Sequence, residues 1–427
     1  MKKSSIRRKF YVPARAKVCL GGALLAATHT QLFAQAASPE SGNVTRMENL
    51  EKENKDLKRR LDALEAVAKR EGLVPSGGPA TKPITALSEM QLSGFVQASY
   101  FYDTSNPNDN SPNGYLWNRR INSFSINKVK LTLASPAVER SGDKWDAGYR
   151  ASLIFGEDAP IVNTGGERQG LEDLREAYVE LNVPLGEGLN VKAGQLISLL
   201  NFESGDGGVV NPNFSQGYQW FFTGNGPSAG VQLGYSINDK VDLKARVQNG
   251  LYAGAVDNNG FKTFMGSIGF KPDDLTSVSL IGFGGREGVS NSDWLKGGSL
   301  IASRQLMAEY KLTFATELDY FNLDVGSDTA EWWSAGGWLW ADFTPKFGVA
   351  LRGEYIGDQD GFGTSGLLGF PINDGQDLYS ATLTFNYRPA PNVKIQPEIR
   401  YDHTSLEGGF DGEENRVIIG AGLSYAF

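Results

Sequence analysis

The feature that most constrains this chain is a segment of about ten residues with alternating apolar and polar side chains, repeated from Leu92 to Phe427. In the last copy, one face carries Val417, Ile419, Ala421, Leu423, Tyr425 and Phe427. The other face is small or polar apart from Ile418. Because successive side chains of a β-strand point to opposite faces, a period of two predicts a strand. The chain is therefore expected to form a large all-β domain whose strands each have one apolar face.

Sixteen segments of this kind can be counted, and a closed single-chain barrel requires an even number. Their approximate bounds are 92–102, 121–134, 144–156, 173–183, 188–196, 228–237, 241–250, 261–270, 275–284, 299–311, 314–324, 331–343, 347–357, 377–388, 393–402 and 415–427. The connections read as alternately short and long. The short ones include 238–240, 271–274, 344–346 and 388–392, and the long ones are 103–120, 157–172, 197–227, 357–376 and 403–414. Strict alternation would gather the long loops at one end of a barrel and both chain ends at the other.

The apolar faces are expected to contact lipid. After the first 36 residues the sequence has no apolar run of 18 residues, which excludes a membrane-spanning helix. Alternating strands of about ten residues can cross a bilayer as a closed barrel. Many apolar faces end in aromatic residues, as interfacial girdles do. We predict a 16-stranded antiparallel transmembrane β-barrel over residues 92–427. Pro397 cannot donate to its ladder, so a bulge or local widening is expected there.

Residues 1–36 have the features of a secretory signal peptide. The basic start consists of Lys2, Lys3, Arg7, Arg8, Lys9, Arg15 and Lys17. A short apolar core follows at 18–27, and Ala34-Gln35-Ala36 offers a cleavage site. The residues at 7–10 also resemble a twin-arginine signal. That route exports folded proteins, however, and a lipid-facing barrel cannot fold in the cytoplasm.

Removal of this segment excludes several classes of function. Cys19 and His29 would be lost, which leaves His403 as the only histidine and no cysteine. Disulfides, thiol catalysis and most histidine-based metal sites or triads are thereby excluded. The mature chain would carry 34 basic and 49 acidic residues, a net charge of −15, compared with −8 for the whole chain. This balance argues against a nucleic-acid partner.

A heptad pattern over residues 43–71 predicts a parallel coiled coil. Positions a are Met47, Asn54, Leu61 and Ala68, and positions d are Leu50, Leu57 and Leu64. The three pairs at positions g and e, Arg46–Glu51, Glu53–Lys58 and Arg60–Glu65, all have opposite charges. Parallel self-association is therefore expected, and the alternative is a single solvated helix. Residues 72–91, with Gly77, Gly78 and several prolines, read as a semi-rigid linker to the barrel.

The number of chains in this coiled coil is less directly indicated. An asparagine at an a position, such as Asn54, fixes the register of the helices and is found most often in dimeric coiled coils. Residues 46–51 and 60–65 both resemble the short R-h-x-x-h-E signature of trimeric coiled coils. We favour a homotrimer.

Several short motifs give the barrel region a family resemblance. They are Gly194-Gln195-Leu196, Asn211-Pro212-Asn213-Phe214-Ser215, Gly230-Val231-Gln232-Leu233 and Asn238-Asp239-Lys240. With these motifs, most of residues 92–427 resembles the OmpL-like (beta-barrel porin-2) outer-membrane porins. The terminal aromatic Phe427 is similarly typical of strands that close outer-membrane barrels. The resemblance implies a bacterial outer-membrane channel surrounded by lipid and lipopolysaccharide, without specifying its solute.

The longest connection, 197–227, is the leading candidate for a constriction. A structureless segment of about 30 residues within a compact domain is usually functional. In sixteen-stranded porins the third loop folds into the lumen, and the resemblance implies the same here. Glu203 and Asp206 are the candidates for its acidic side. The alternative is a surface loop whose acids bind divalent cations between lipopolysaccharide molecules.

Charged residues of both signs are expected to line the lumen, where rings or walls of charge set selectivity. The basic candidates are Lys128, Lys130, Arg150, Lys192, Lys244, Arg246, Arg352, Lys394, Arg400 and Arg416. The acidic ones are Asp146, Glu176, Glu180, Asp242, Glu309, Asp319, Asp342, Glu354 and Glu398. A basic wall facing an acidic loop would create a transverse field. Alternatively, pairs such as Arg352 with Glu354 and Arg400 with Glu398 merely neutralise each other. Strong anion selectivity is not expected.

Passive diffusion of small hydrophilic solutes and ions through a trimeric pore is the leading functional hypothesis, with no reaction, no catalytic residues, no metal and no cofactor. A second hypothesis is a structural tether, in which the coiled coil braces the periplasm and the barrel anchors it. A third, a barrel hydrolase, would need a nucleophile and a base. The only histidine of the mature chain, His403, lies in Asp402-His403-Thr404-Ser405 at the mouth of the last long loop. Adjacent residues of an extended chain point to opposite sides, which makes a poor dyad, and a histidine in a solvated loop is the better interpretation.

Overall fold

The structure is a computed structural model that describes residues 52–60, 90–107, 110–112, 118, 120–162, 173–251, 253–254, 257, 259–287, 293–364 and 375–427. Two compact units are present, residues 1–81 and residues 82–427. In the first unit, residues 52–60 form a helix, α1, which contains Asn54 and Leu57. The remaining predicted coiled-coil positions, Met47, Leu50, Leu61 and Leu64, lie outside the described residues, as do the predicted signal peptide and most of the linker. No helix among the described residues is long and apolar enough to span a membrane.

The second unit contains sixteen antiparallel strands that close into a barrel, as predicted. They are β1 (Gln91–Asp103), β2 (Ser123–Ala134), β3 (Asp146–Phe155), β4 (Leu174–Val183), β5 (Leu189–Leu196), β6 (Ser228–Ser236), β7 (Val241–Gln248), β8 (Thr263–Phe270), β9 (Thr276–Glu287), β10 (Asp293–Met307), β11 (Leu312–Val325), β12 (Asp328–Thr344), β13 (Phe347–Asp358), β14 (Gln376–Ala390), β15 (Val393–Thr404) and β16 (Asn415–Ala426). Each strand pairs with its neighbours in sequence, and β16 pairs with β1. Two short helices, α2 (Ala159–Val162) and α3 (Tyr218–Phe222), lie in connections.

The alternation in the sequence corresponds to the two sides of the barrel wall. On β14, the side chains of Tyr379 and Tyr387 are exposed on the outer face, whereas Ser380, Thr382 and Thr384 are buried inside. A soluble protein would bury the apolar set, so this inverted arrangement suits a lipid surround. The polar set therefore faces the lumen.

Closure of the barrel depends on the last strand. The pairing of β1 with β16 runs from Phe95 opposite Ala426 to Asp103 opposite Ile418. Gly94 and Phe427 then exchange two backbone hydrogen bonds, each 2.9 Å long. The ladder thus has no free edge at the seam, which is the arrangement that removes the liability of an exposed edge strand.

The ladder is interrupted at Pro397, as expected. Pairing between β14 and β15 passes from Thr384 opposite Glu398 to Tyr387 opposite Ile395, without pairs in between. Proline lacks the N–H group that this ladder would need. The opposite edge of β15 remains regular, because Pro397 still pairs with Ala421.

The prediction that short and long connections alternate strictly is wrong in part. We call the barrel end that carries the connections 104–122, 156–173 and 197–227 the loop end, and the other end the turn end. At the loop end, β11 and β12 are joined by only residues 326–327, and Gly326 adopts a positive φ of 62°. A two-residue hairpin of this kind suffices for antiparallel strands. At the turn end, by contrast, β2 and β3 are separated by the longer connection 135–145.

The barrel wall is uneven in height. Strands β10, β11 and β12 contain 15, 14 and 17 residues. Strands β5, β7 and β8 contain only 8 residues each. The wall is thus tall where the loop-end connection is shortest, and low on the side of β5 to β8.

Candidate channel lining

Residues 197–227, which connect β5 to β6 and are called L3 below, fold into the barrel rather than over its rim. L3 contains a 3₁₀ turn (Gly207–Val209) followed by α3, and most of its side chains are buried. Many of its hydrogen-bond partners are inward-facing residues of β11 to β15. The contacts of L3 show how it is held against the inner face of the barrel wall.

Carboxylates on the barrel wall hold the backbone of L3. Glu317 on β11 accepts from the N–H groups of Asn201 and Phe202 at 3.0 and 2.9 Å. Glu398 on β15 accepts from the N–H group of Phe214 at 2.8 Å. Glu354 on β13 accepts from Gln219 N–H at 3.1 Å. A loop inside a barrel needs partners for its backbone donors, and hydrogen bonds to charged acceptors are the stronger kind.

Basic residues on the same side hold the carbonyl groups of L3. Lys394 Nζ donates to the carbonyl oxygens of Gly208 and Asn211 at 2.7 and 2.9 Å. Arg400 Nη1 donates to Gln216 O at 2.9 Å. Both basic residues were predicted to line the pore. Arg400 is buried and Lys394 is partly buried, and both donate hydrogen bonds to L3.

Aromatic packing adds to these contacts near the barrel seam. The ring of Phe214 stacks on Phe101 of β1 with ring centroids 5.6 Å apart. A Cβ atom at Gly422 on β16 would overlap the ring of Phe214, so this strand position requires glycine. Tyr218 in α3 accepts from Arg416 Nη2 at 2.9 Å, and burial raises the pKa of the Tyr218 phenol.

The two candidate constriction acids occupy different environments. Glu203 pairs with Arg352 at 2.8 Å, accepts from Trp338 Nε1 at 3.2 Å and from Gly217 N–H at 2.7 Å. The Glu203 and Arg352 side chains are 1% and 0% exposed, so this pair is sealed within the L3 contact. Asp206 pairs with Lys130 at 2.8 Å and keeps 20% of its side chain exposed. Only Asp206 therefore presents charge to water.

The basic candidates divide into two groups. Lys128, Lys130, Arg352, Arg400 and Arg416 are buried, and Lys394 is partly buried. Arg246 is buried too, and it donates to Ile197 O at the start of L3 at 2.8 Å. Arg150, Lys192 and Lys244 are exposed by 37%, 25% and 39% of their side chains. We call β11 to β16 the covered wall and β3 to β7 the open wall. Water reaches the side chains of the second group. In the first group, Arg352, Lys394, Arg400 and Arg416 lie on the covered wall, whereas Lys128 and Lys130 lie on β2 and Arg246 lies on β7.

Each exposed base on the open wall has an acidic partner. Arg150 Nε lies 2.6 Å from Glu176 Oε1, and Lys192 Nζ lies 3.5 Å from Glu180 Oε2. Lys244 Nζ lies 4.0 Å from Asp242 Oδ2. The charge pattern here is one of pairs rather than of a continuous basic ladder.

The pairing on the covered wall differs in part from the sequence expectation. Arg352 does pair with Glu354, at 3.0 Å. Arg400 pairs with Asp402 at 2.6 Å rather than with Glu398, because Glu398 is engaged by the backbone of L3. Glu309 lies in the turn between β10 and β11 and not on the inward face.

Several residues of this region were not singled out from the sequence. Glu317 lies on the same inward face of β11 as Asp319, two positions later. The spacing of two residues in a strand could therefore have identified Glu317 as inward-facing from the sequence. Trp338 and Trp340 both lie on the inward face of β12. Both contact Phe202 of L3, with ring centroids 4.7 and 5.9 Å from that of Phe202. Arg175 sits at an irregularity between β3 and β4, where the register shifts beside Ser152, so its inward burial breaks the alternation.

A polar cavity of about 690 Å³ opens at the turn end. It is lined by Arg140, Glu187, Asp239, Lys240, Asp242 and Lys244, among others. Lys244 and Asp242 belong also to the open wall, so the cavity continues the water-accessible side of the lumen.

His403 lies on the outer face of β15. Its Nδ1 is 3.0 Å from Asn415 Oδ1, and its ring centroid is 5.7 Å from that of Tyr379. These contacts place the histidine beside aromatic residues of the outer surface rather than opposite a nucleophile.

Comparison with known proteins agrees with this architecture. A family model described as "Putative beta-barrel porin-2, OmpL-like" matches residues 89–427. The anion-selective porin from Comamonas acidovorans has a similar structure, with a TM-score of 0.53 and 12% identity over 79% of this chain and 99% of that one. The outer-membrane channel DcaP of Acinetobacter baumannii gives 0.51 and 14% over 79% and 97%. OprB of Pseudomonas putida gives 0.51 and 12% over 81% and 96%. No curated protein matches the sequence.

Proposed function

Since the chain belongs to the OmpL-like β-barrel porin-2 family of outer-membrane porins, we propose that small hydrophilic solutes and ions diffuse passively through its lumen along the open wall. The structures it resembles share the barrel fold, and the family match over residues 89–427 supports the channel function. The route within the lumen is argued from this chain alone.

The observation that carries the proposal is the contrast in exposure between the two walls. Inward charges of the covered wall, such as Arg352 and Glu398, are buried beneath L3. Inward charges of the open wall, such as Lys192 and Lys244, remain 25% and 39% exposed. A diffusing solute would follow the side that water reaches.

The narrowest point is proposed to lie where the edge of L3 faces β2 and β3. Asp206 and Lys130 form an ion pair there that is still partly exposed, and Arg150 follows on the next strand. Glu203 acts differently in this proposal, because its sealed pair with Arg352 fixes the position of L3. The two acids of the loop thus have separate roles, one toward the solute and one toward the wall.

Weak ion selectivity is expected from this lining. Charges along a pore select ions when one sign dominates. Here Arg150, Lys192 and Lys244 each have an acidic partner within 4.0 Å. Neutral solutes and ions of both signs would therefore pass at similar rates.

The remaining regions fit an envelope location. We propose that residues 1–36 direct export, that 43–71 form a periplasmic homotrimeric coiled coil, and that 72–91 link it to the barrel at 92–427. The loop end would then face outward, toward lipopolysaccharide, and the turn end would face the periplasm. The helical residues 52–60 and the heptad spacing support the coiled coil.

Reconstitution into planar bilayers tests the pore and the role of L3 together. The mature protein should give stable conductance steps, in groups of three for a trimer. Replacing residues 199–224 by a short Gly-Ser linker should increase the unit conductance severalfold, because the covered wall would then line the lumen. The control is a variant that lacks residues 43–71, which should conduct equally per barrel but without grouped steps. A protein that never conducts would favour the tether hypothesis, and an unchanged conductance after removal of L3 would refute its narrowing role.

A further inference from the structure

A group of aromatic side chains lies inside the lumen on the turn-end side of L3. Phe202 of L3 contacts Trp338 and Trp340 of β12, with ring centroids 4.7 and 5.9 Å apart. Trp338 is fully buried and its indole nitrogen donates to Glu203. Trp340 and Phe202 are only partly buried. The three side chains thus form a cluster that is buried at Trp338 and partly exposed at Phe202 and Trp340. We call this cluster of Phe202, Trp338 and Trp340 the aromatic platform.

The platform is held in place from both sides. The N–H group of Phe202 donates to Glu317 at 2.9 Å, which fixes the loop residue to β11. Trp340 lies on β12 between Thr313 of β11 and Ala350 of β13, which are its cross-strand partners. Rings anchored in this way lose little further freedom on binding a solute, which favours binding by preorganisation.

Polar groups lie next to the platform on the same inward face. Asp342, two residues beyond Trp340 on β12, pairs with Arg388 of β14 at 2.9 Å. Their side chains remain 31% and 33% exposed, in contrast to the sealed pairs beneath L3. Although β12 and β14 belong to the covered wall, this part of it lies beyond L3 toward the turn end, so water and a passing solute can reach it. The carboxylate of Asp342 offers hydrogen-bond acceptors and the guanidinium of Arg388 offers donors. Their ion pair fixes the orientation of both groups.

We propose that the aromatic platform with Asp342 and Arg388 is a binding site for carbohydrates passing through the channel, an inference that rests on the channel function above. A pyranose ring presents an apolar C–H face, which can pack on an aromatic ring, and hydroxyl groups around its edge. Asp342 can accept from such hydroxyls, and Arg388 can donate to them.

The charge pattern favours a neutral ring over an aromatic acid. An aromatic carboxylate could also stack on Trp340, but it would need a base available to its charge. The exposed bases Arg150, Lys192 and Lys244 each have an acidic partner, and Arg388 has Asp342. Lys394, which interacts electrostatically with Asp342 and Arg388, is partly buried and directs its donors to the carbonyl oxygens of Gly208 and Asn211. A neutral hydroxylated solute needs no net charge and can share the existing pair by hydrogen bonding.

Block of the ionic current by maltotriose tests the proposal, with benzoate as the aromatic anion for comparison. In the wild-type channel maltotriose should reduce the current in a concentration-dependent manner. Trp340→Leu, which removes the flat ring, should raise the half-blocking concentration roughly three- to tenfold. Trp340→Phe should restore most of the block, and Asp342→Asn should weaken it by a smaller factor. Trp333→Leu, on the outer face of the same strand, is the matched control and should bind as the wild type does.

Each outcome is decisive. Conductance with no maltotriose block, or with a block that survives Trp340→Leu, overturns the carbohydrate site and leaves the channel itself intact. Block by benzoate alone would also overturn it. Tryptophan fluorescence in detergent measures maltotriose binding without any current, so a non-conducting preparation still decides the question. A merely structural role for Trp340 would lower thermal stability in Trp340→Leu while leaving maltotriose affinity unchanged, and that result would contradict the proposal.

Discussion

The covered wall and the open wall follow the same sequence pattern and use their charges in opposite ways. On the covered wall, Glu317, Glu354 and Glu398 accept backbone N–H groups of L3 and are buried. On the open wall, Arg150 and Lys192 keep much of their side chains in water. The difference arises from the third loop, which packs mainly against the covered wall and reaches β2 and β7 only through Asp206 and Ile197 among the contacts described above. Inward charge in a barrel therefore has two roles, to anchor a loop or to meet the solute.

The largest effect should follow from breaking a sealed pair on the covered wall. Arg352→Met leaves Glu203 and Glu354 buried without their cation, which should lower the free energy of unfolding by about 3–5 kcal/mol. The matched change on the open wall, Lys244→Met, removes a pair whose two side chains are 39% and 35% exposed, and it should cost no more than about 1 kcal/mol. Urea unfolding in detergent or lipid micelles measures both. Equal losses would remove the distinction between the walls.

A smaller effect, on ion preference, should separate the two acids of L3. Asp206→Asn removes an exposed negative charge beside Lys130, so the reversal potential in a salt gradient should shift toward anions. Glu203→Gln should shift it much less, because the carboxylate is sealed against Arg352. The shift for Asp206→Asn should also weaken as salt concentration rises. If Glu203→Gln gave the larger shift at unchanged stability, the assignment of the two roles would be reversed.

The smallest effect is expected from a single charge on the open wall. Lys192→Gln leaves Glu180 without its partner, and the channel should become slightly more permeable to cations. Because the site is partly exposed, the change should be under about twofold in the permeability ratio and should diminish at high salt. Arg246→Gln is the matched control on the same wall, since Arg246 is buried against L3 and should affect stability more than ion preference. A strong change in ion selectivity in Lys192→Gln would mean that the narrowest point of the lumen lies nearer to the turn end than L3 does.

The sequence predicts the barrel well because the evidence for each strand is local. Alternation on β14 and β16 identifies their outer and inner faces without any knowledge of neighbours. The expected interruption at Pro397 follows in the same way from one missing N–H group. The even strand count is what allows β1 and β16 to pair antiparallel when the ladder closes.

The candidate site is predicted less completely because its evidence is not local. The alternation of the strand places Arg400 and Glu398 on the inward face. It cannot show that Glu398 accepts hydrogen bonds from the backbone of L3 and that Arg400 pairs with Asp402. Glu203 and Asp206 are three residues apart, and only the folded loop shows which of them is sealed. The inward orientation of Arg175 cannot be predicted from the sequence for another reason. A register shift between β3 and β4 interrupts the alternation of inward and outward residues from which its orientation would be inferred.

The anchors of L3 lie far along the chain from the loop itself. Arg352 is 149 residues from Glu203, and Glu398 is 184 residues from Phe214. If strands are added in chain order, a barrel that has reached only β10 offers neither of these anchors, and its third loop would be held only by partners on earlier strands, such as Lys130 and Arg246. Narrowing of the pore would then be among the last properties that the molecule acquires during assembly, after closure of the sheet has brought β11 to β16 into place.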